Sequence, residues 1–212
     1  MASISWALLA AAAVLSAVNV VAVWRSLLKL EYVVKPGVMV ALIGVAITLN
    51  PHHQTERTLF VIALVLGLAS DVFLMLPGDL FLAGLVAALV EHIAYIVGFR
   101  FGGFYLPGVG IGIAIAYVAV AQLVPRVVKA LTDSGRNSLR RPVMAYVAII
   151  SVMVLSATGS GSLVAAAGGL LFFASDALLA WYRFVEPLRW GRPVNIATYQ
   201  LGQALLVLSL AF

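Results

Sequence analysis

Two aspartates stand inside apolar segments of the chain, each in the same short motif. Asp71 ends the segment Ala69-Ser70-Asp71, and Asp176 ends the segment Ala174-Ser175-Asp176. The two aspartates lie 105 residues apart (176 − 71) in a chain of 212, so each half carries one. A carboxylate within an apolar run of membrane length is costly and indicates a functional site. The matched pair predicts one site with two carboxylates, which suits acid and base chemistry.

The composition predicts the class of protein that must position these groups. Hydrophobic residues make up 64% of the chain and charged residues 10%, whereas a soluble domain has roughly 45–50% apolar residues. This balance predicts an integral membrane protein. The chain has no cysteine, which excludes disulfides, thiol catalysis and cysteine-ligated metals. Lys and Arg total 13 against 8 Asp and Glu, but these bases lie in short connectors, which favours a role in membrane topology over nucleic-acid binding.

Apolar runs separated by Pro, Gly or charge predict an all-α, polytopic membrane helix bundle with eight transmembrane helices. We interpret the apolar N-terminal stretch as the first helix and not as a cleaved signal peptide, because it has no basic segment before it. The whole chain, residues 1–212, is expected to form a single integral membrane domain. Four spans are expected to begin at Pro36, Pro107, Pro142 and Pro193, where a missing N–H costs least. The predicted spans are about 4–24, 36–50, 58–76, 80–99, 107–124, 142–158, 162–182 and 193–211.

The distribution of basic residues predicts the orientation. Eleven of the 13 Lys and Arg residues lie in the odd-numbered connectors, and only Arg57 and Arg100 lie elsewhere. The odd connectors are therefore expected in the cytoplasm and both termini outside. Asp71 lies on the third predicted helix and Asp176 on the seventh. Because this offset of four helices is even, both helices cross the membrane in the same direction, and the halves are expected to form a parallel 4+4 repeat. Each carboxylate then lies about 8–9 Å below the cytoplasmic edge, at 1.5 Å per helical residue.

Other polar residues are expected at a similar depth. His92 and Tyr95 share one face of the fourth helix, and Glu91, on a different face, competes with His92 for the role of acid. We expect these side chains to converge in one polar cavity that opens toward the cytoplasmic leaflet. The alternative is that they are structural contacts between helices, with Ser70 and Ser175 as small interface residues. The candidate residues of the eighth helix are Tyr199, Gln200 and Gln203.

Several other site types find little support in the motifs. Asp71, His92 and Asp176 are chemically sufficient for a metal, but no His-Glu-x-x-His spacing is present, so we expect neither a metal nor another cofactor. The glycine run after Pro107 has no Lys-Ser or Lys-Thr after it, which favours helix packing over phosphate binding. Neither Ser70 nor Ser175 lies in the Gly-x-Ser-x-Gly turn of a serine hydrolase.

Taken together, five motifs resemble the YhhN-like lysoplasmalogenase family of membrane proteins, from about residue 30 to the C-terminus. The order and spacing of the motifs together carry the resemblance. They are Lys35-Pro36, Gly67-Leu-Ala-Ser70-Asp71, His92-Ile-Ala-Tyr95, Gly169-Leu-Leu-Phe-Phe-Ala-Ser175-Asp176 and Tyr199-Gln-Leu-Gly202-Gln203.

The resemblance implies an enzyme that hydrolyses the vinyl ether bond of lysoplasmalogens to a fatty aldehyde and a glycerophospho-base. Asp71 and Asp176 are then expected to act as acid and base, sharing a proton as paired carboxylates do in other hydrolases. Asp176 is our choice for the acid, and His92 is expected to orient water. Tyr199 and Gln203 are expected to bond the ether oxygen or the glycerol hydroxyl. The remaining substrate contacts are expected from Ser70, Ser175, Tyr95 and Gln200, with the phosphate bound by Lys35, Arg183 and Arg192.

Three other functions remain open at this point. A transporter for a small solute or lipid also uses intramembrane carboxylates, although the helices with Asp71 and Asp176 lack Gly or Pro interruptions. An intramembrane aspartyl protease needs paired aspartates, but its Gly-x-Gly-Asp type of motif is missing. A structural membrane subunit would leave the matched carboxylates unexplained. A bacterial plasma membrane is the expected location, with a lysophospholipid as partner.

Overall fold

The structure, a computed structural model, describes residues 3–78 and 80–211. Within these residues the chain forms eight long helices and no strand, and all eight are long and apolar enough to cross a membrane. The predicted all-α membrane bundle is thereby confirmed. The helices are α1 (Ser3–Trp24), α2 (Leu28–Thr48), α3 (Gln54–Met75), α4 (Phe81–Gly98), α5 (Leu106–Asp133), α6 (Arg140–Gly159), α7 (Leu163–Ala180) and α8 (Gly191–Leu208).

Two helices are longer than the spans predicted from the positions of the prolines. Helix α2 begins at Leu28 and contains Pro36 in its interior, and α5 continues past Pro125 to Asp133. Prolines are tolerated inside membrane helices because neighbouring groups can satisfy the freed carbonyl. The prediction that α2 begins at Pro36 was therefore wrong, and Lys35 lies within the helix instead of in a connector. This places Lys35 and Glu31, four residues apart, on the same face of α2.

Seven of the helices form a closed ring. Going round it, the neighbours are α1, α2, α3, α4, α6, α7 and α8, and α8 returns to α1. Helix α5 lies outside this ring, against α6 and the π-helical turn Trp181–Val185 that follows α7. The most extensive contacts between helices lie within four hairpins, α1–α2, α3–α4, α5–α6 and α7–α8. The orientation of the termini and the parallel repeat remain predictions.

The ring is held by close packing of aromatic and small residues. Phe60 contacts Tyr95 edge-to-face at 4.9 Å and Phe99 at 5.2 Å between ring centroids, which joins α3 to α4. Helices α7 and α8 approach so closely at Gly168 and Gly202 that neither position has room for a side chain. Small residues at such crossings let helix backbones meet in membranes.

Gly168→Ala is expected to destabilise the protein by about 1–3 kcal/mol, the typical cost of overpacking. A Cβ atom at Gly168 would lie 2.9 Å from the Leu206 amide nitrogen and 3.0 Å from the Gly202 carbonyl oxygen, so backbone would have to move. Thermal unfolding in detergent measures this loss. Gly110→Ala is the matched control, because a Cβ there meets no atom within 4 Å. Equal melting temperatures for the two variants would contradict the close crossing.

Candidate functional site

A cavity of about 280 Å³ lies between the ring helices and α5, toward the end that holds the odd-numbered connectors. Its apolar walls come mainly from α4, α5, α6 and α7. Its polar lining comes from six helices and the π-helical turn after α7, and it includes both aspartates. These polar residues are Glu31, Lys35, Ser70, Asp71, Glu91, Tyr146, Asp176, Tyr182, Arg183, Arg192, Asn195 and Tyr199.

Asp71 forms a buried ion pair with Lys35. The Lys35 Nζ atom lies 3.0 Å from Asp71 Oδ1, and the two side chains are 10% and 7% exposed. The ammonium group stabilises the carboxylate form of Asp71 relative to a buried carboxyl without a cation. Asp71 Oδ2 is buried and accepts no hydrogen bond within the described part of the chain. One oxygen of Asp71 is therefore held by a cation, and the other is enclosed by the protein without a hydrogen-bond partner among the described residues.

Asp176 has a different set of partners. Tyr146 donates its hydroxyl to Asp176 Oδ2, and His92 Nε2 lies 2.8 Å from the same hydroxyl and 3.5 Å from Asp176 Oδ2. His92 is fully buried, and its ring also contacts Phe172 at 4.8 Å between centroids. Asp176, Tyr146 and His92 thus form a triad of groups that can exchange protons. Lys35 pairs instead with Asp71.

A further carboxyl, that of Glu91, is buried deeper among the helices. Gln203 donates from Nε2 to Glu91 Oε1 and accepts at Oε1 from the Tyr95 hydroxyl at 2.6 Å. The same Nε2 lies 3.3 Å from the Tyr199 hydroxyl. Gly67, one turn before Asp71 on α3, leaves the space that the Glu91 carboxyl occupies. Glu91 and His92 therefore face different partners, which is the arrangement expected from their adjacent positions.

The predicted site residues fall into three groups. Asp71, Asp176, Lys35, Ser70, Arg183 and Tyr199 line the cavity. His92, Tyr95 and Gln203 lie in the layer of hydrogen bonds around it. Gln200 accepts instead from Ser16 of α1 at 2.7 Å, and Ser175 bonds the Phe172 carbonyl oxygen of its own helix at 2.7 Å.

The two serines of the repeated motif both have structural contacts. Besides the bond of Ser175 within α7, the Ser70 hydroxyl donates to the Gly84 carbonyl oxygen at 2.9 Å and joins α3 to α4. These contacts are the ones expected for small interface residues. The functional assignments of all these residues remain predictions.

Two cavity residues with notable contacts, Tyr146 and Glu31, were not predicted from the sequence. Tyr146 lies in an apolar stretch of α6 where a tyrosine is typical of packing, and only the approach of α6 to α7 brings it to Asp176. Glu31 lies in the segment that was predicted to be a connector. Within the described ranges, no group of three or more His, Cys, Asp or Glu side chains is arranged to hold a metal ion.

The end of the cavity near the connectors carries further polar contacts. Arg192 pairs with Glu31 at 2.9 Å, and the Tyr182 hydroxyl lies 3.4 Å from Asn195 Oδ1. The guanidinium of Arg183 lies 4.1 Å from the centroid of the Phe81 ring, in a cation–π contact. Both arginines that line the cavity thus lie at this end.

Comparison with known proteins supports the resemblance seen in the motifs. The chain is 31% identical over 147 residues to lysoplasmalogenase TMEM86B of Homo sapiens and 32% identical over 148 residues to that of Mus musculus. Each match covers 69% of this chain, which spans 61% of the length of either relative. No solved structure matches the chain. Because the model of the YhhN family matches residues 30–210, this membrane protein belongs to the YhhN family.

Proposed function

We propose that this protein hydrolyses the vinyl ether bond of lysoplasmalogens by acid and base catalysis at Asp71 and Asp176. The observation that carries the proposal is that both carboxylates line one cavity but have different partners, a lysine for Asp71 and a Tyr146–His92 pair for Asp176. Paired carboxyl groups in unlike surroundings can divide the roles of acid and stabiliser. The curated relatives are named lysoplasmalogenases.

The reaction begins with transfer of a proton from Asp176 to the outer carbon of the vinyl ether. This leaves an oxocarbenium ion, which the Asp71 carboxylate stabilises through the oxygen that Lys35 does not hold. A water molecule oriented by His92 then attacks the cation and returns one proton to Asp176. The resulting hemiacetal collapses to a fatty aldehyde and a glycerophospho-base. Tyr199 and Gln203 are proposed to bond the ether oxygen or the glycerol hydroxyl.

The division of the cavity fits an amphiphilic substrate. Charged residues at the connector end suit a phosphorylated headgroup. The apolar walls suit an alkenyl chain, which is proposed to lie between helices with a lateral opening to the lipid. The basic connectors at this end favour a cytoplasmic location by the positive-inside rule. We therefore propose that the substrate enters from the cytoplasmic leaflet of a bacterial plasma membrane.

The test uses purified protein with a lysoplasmalogen and with its saturated ether analogue. Aldehyde release from the first alone is expected, because only an enol ether can be protonated at carbon. In D₂O the aldehyde should carry one deuterium on the carbon next to the carbonyl. Release from both lipids, or aldehyde without deuterium, would contradict protonation of the vinyl ether. The absence of aldehyde, with lipid transported into proteoliposomes, would favour the transporter.

Tyr146→Phe is expected to lower kcat by about tenfold and to change KM little, because a hydrogen bond to an ionisable group is lost while the ring packing against His92 stays. Steady-state kinetics of aldehyde release measures the effect. Tyr117→Phe is the control, since Tyr117 on α5 is 73% exposed. An unchanged kcat in Tyr146→Phe would remove Tyr146 from the mechanism.

A further inference from the structure

The carboxylate of Glu31 is buried and is not used by the proposed catalytic steps. Its side chain is only 3% exposed, yet its ionic partner Arg192 is 49% exposed. Both residues line the cavity at its connector end. A buried carboxylate is costly unless it is paired, and positive-inside topology would need the arginine alone. The cavity therefore carries one negative and one positive group side by side for a reason other than topology.

The geometry of the pair leaves donors available. A single nitrogen of Arg192, Nη2, contacts both Glu31 oxygens, at 2.9 Å and 3.2 Å. A guanidinium has five N–H donors, and within residues 3–78 and 80–211 Arg192 makes no other hydrogen bond. The remaining donors of this half-exposed side chain can bind a phosphate, which arginine recognises well.

The distance from the pair to the aspartates fits the proposed substrate. Glu31 lies four residues before Lys35 on one face of α2, a rise of about 6 Å, and Lys35 contacts Asp71. In a lysoplasmalogen the glycerol backbone separates the ether oxygen from the phosphate by a similar length. A substrate with its ether at Asp71 therefore brings its phosphate to the level of Arg192.

We propose that the Glu31–Arg192 pair is a binding site for a phosphoethanolamine headgroup, with Arg192 on the phosphate and Glu31 on the primary ammonium. This inference rests on the proposed function. A primary ammonium has three N–H donors for a carboxylate, whereas a quaternary ammonium has none and is typically bound by aromatic faces. Glu31 thus selects ethanolamine over choline headgroups.

The experiment compares alkenyl substrates with ethanolamine, choline or no headgroup, and saturated ether analogues of each as non-cleavable ligands. Wild-type protein is expected to favour ethanolamine over choline by about tenfold or more in kcat/KM and in the affinity for the analogues. Glu31→Gln should bring this ratio close to one, and Glu31→Asp, which keeps the charge, should retain most of it. Arg192→Gln should remove the advantage of phosphorylated substrates over alkenylglycerol. Asp133→Asn, at an exposed acid of α5, is the control.

The binding arm separates this inference from the proposed function. If no alkenyl lipid is cleaved but the ethanolamine analogue still binds tighter, the headgroup site stands and the hydrolase proposal fails. Equal affinities for the ethanolamine and choline analogues, or a ratio that Glu31→Gln leaves unchanged, would overturn the headgroup site. A preference for choline would instead indicate recognition by an aromatic face such as that of Tyr182. If Glu31→Gln does not fold, the wild-type ratio and Glu31→Asp decide the question.

Discussion

Asp176→Asn is expected to lower the rate of aldehyde release by about 10²- to 10⁴-fold, the range over which general acids contribute to enzyme rates. The amide keeps the size of the carboxyl and can still accept a hydrogen bond from Tyr146, but it cannot deliver a proton to the vinyl ether. The affinity for the saturated ether analogue should change much less, because no proton moves in that complex. Single-turnover kinetics together with analogue binding measures both quantities.

A matched control for this variant is Asp133→Asn. Asp133 lies at the end of α5 with its side chain 60% exposed, paired to Lys129, so activity should stay at the wild-type level. Far-UV circular dichroism and the elution profile in detergent establish that each variant is folded. If folded Asp176→Asn retained full activity, Asp176 would have no part in catalysis, and Glu91 would become the next acid to test.

Lys35→Met is expected to have the largest effect on stability, about 3–5 kcal/mol, the cost of breaking a buried ion pair on one side. Asp71 would then be a buried carboxyl with no cation beside it, inside a cavity where both side chains are at most one-tenth exposed. Lys35→Met with Asp71→Asn removes both charges and should recover most of the stability. Activity should be lost in both proteins, because the oxocarbenium ion then has no stabilising carboxylate held in position.

Thermal and denaturant unfolding in detergent, arranged as a double-mutant cycle, measures the coupling between the two residues. Lys129→Met tests the same change at an exposed ion pair, where we expect less than about 1 kcal/mol. A single variant Lys35→Met as stable as the wild type would show that the Lys35–Asp71 pair contributes nothing to the fold. A stable and fully active double variant would contradict the role of Asp71.

The count of the helices could be read from the chain because it depends on length. Seven of the predicted runs have 17–21 residues, near the roughly 20 that cross the hydrocarbon core, and the eighth, 36–50, was counted with the help of the proline at its start. The helix ends could not be read from the positions of the prolines. Pro36 and Pro125 lie inside helices, because in a membrane protein the backbone groups that a proline frees can be satisfied by neighbouring helices.

The polar site was only partly visible in the sequence. Asp71 and Asp176 stood out because a carboxylate in an apolar run has no explanation in the local sequence. Tyr146 did not stand out, since a tyrosine in an apolar helix is ordinary. Its proposed importance comes from the hydrogen bond that its hydroxyl on α6 donates to Asp176 on the neighbouring α7. Gln200 shows the opposite case: its position beside Tyr199 placed it in the predicted site, whereas it bonds Ser16 of α1.

The sequence by itself determined the membrane class, the eight helices and the two carboxylates, because hydropathy and charge act locally along the chain. Only the tertiary structure decided which groups meet. The ring of seven helices, with α5 outside it, pairs Lys35 with Asp71 and Tyr146 with Asp176. Such pairings depend on how helix faces pack across long separations, and no period or motif within one helix specifies its partner. The different surroundings of the two matched aspartates, and hence their proposed roles, arise at that level.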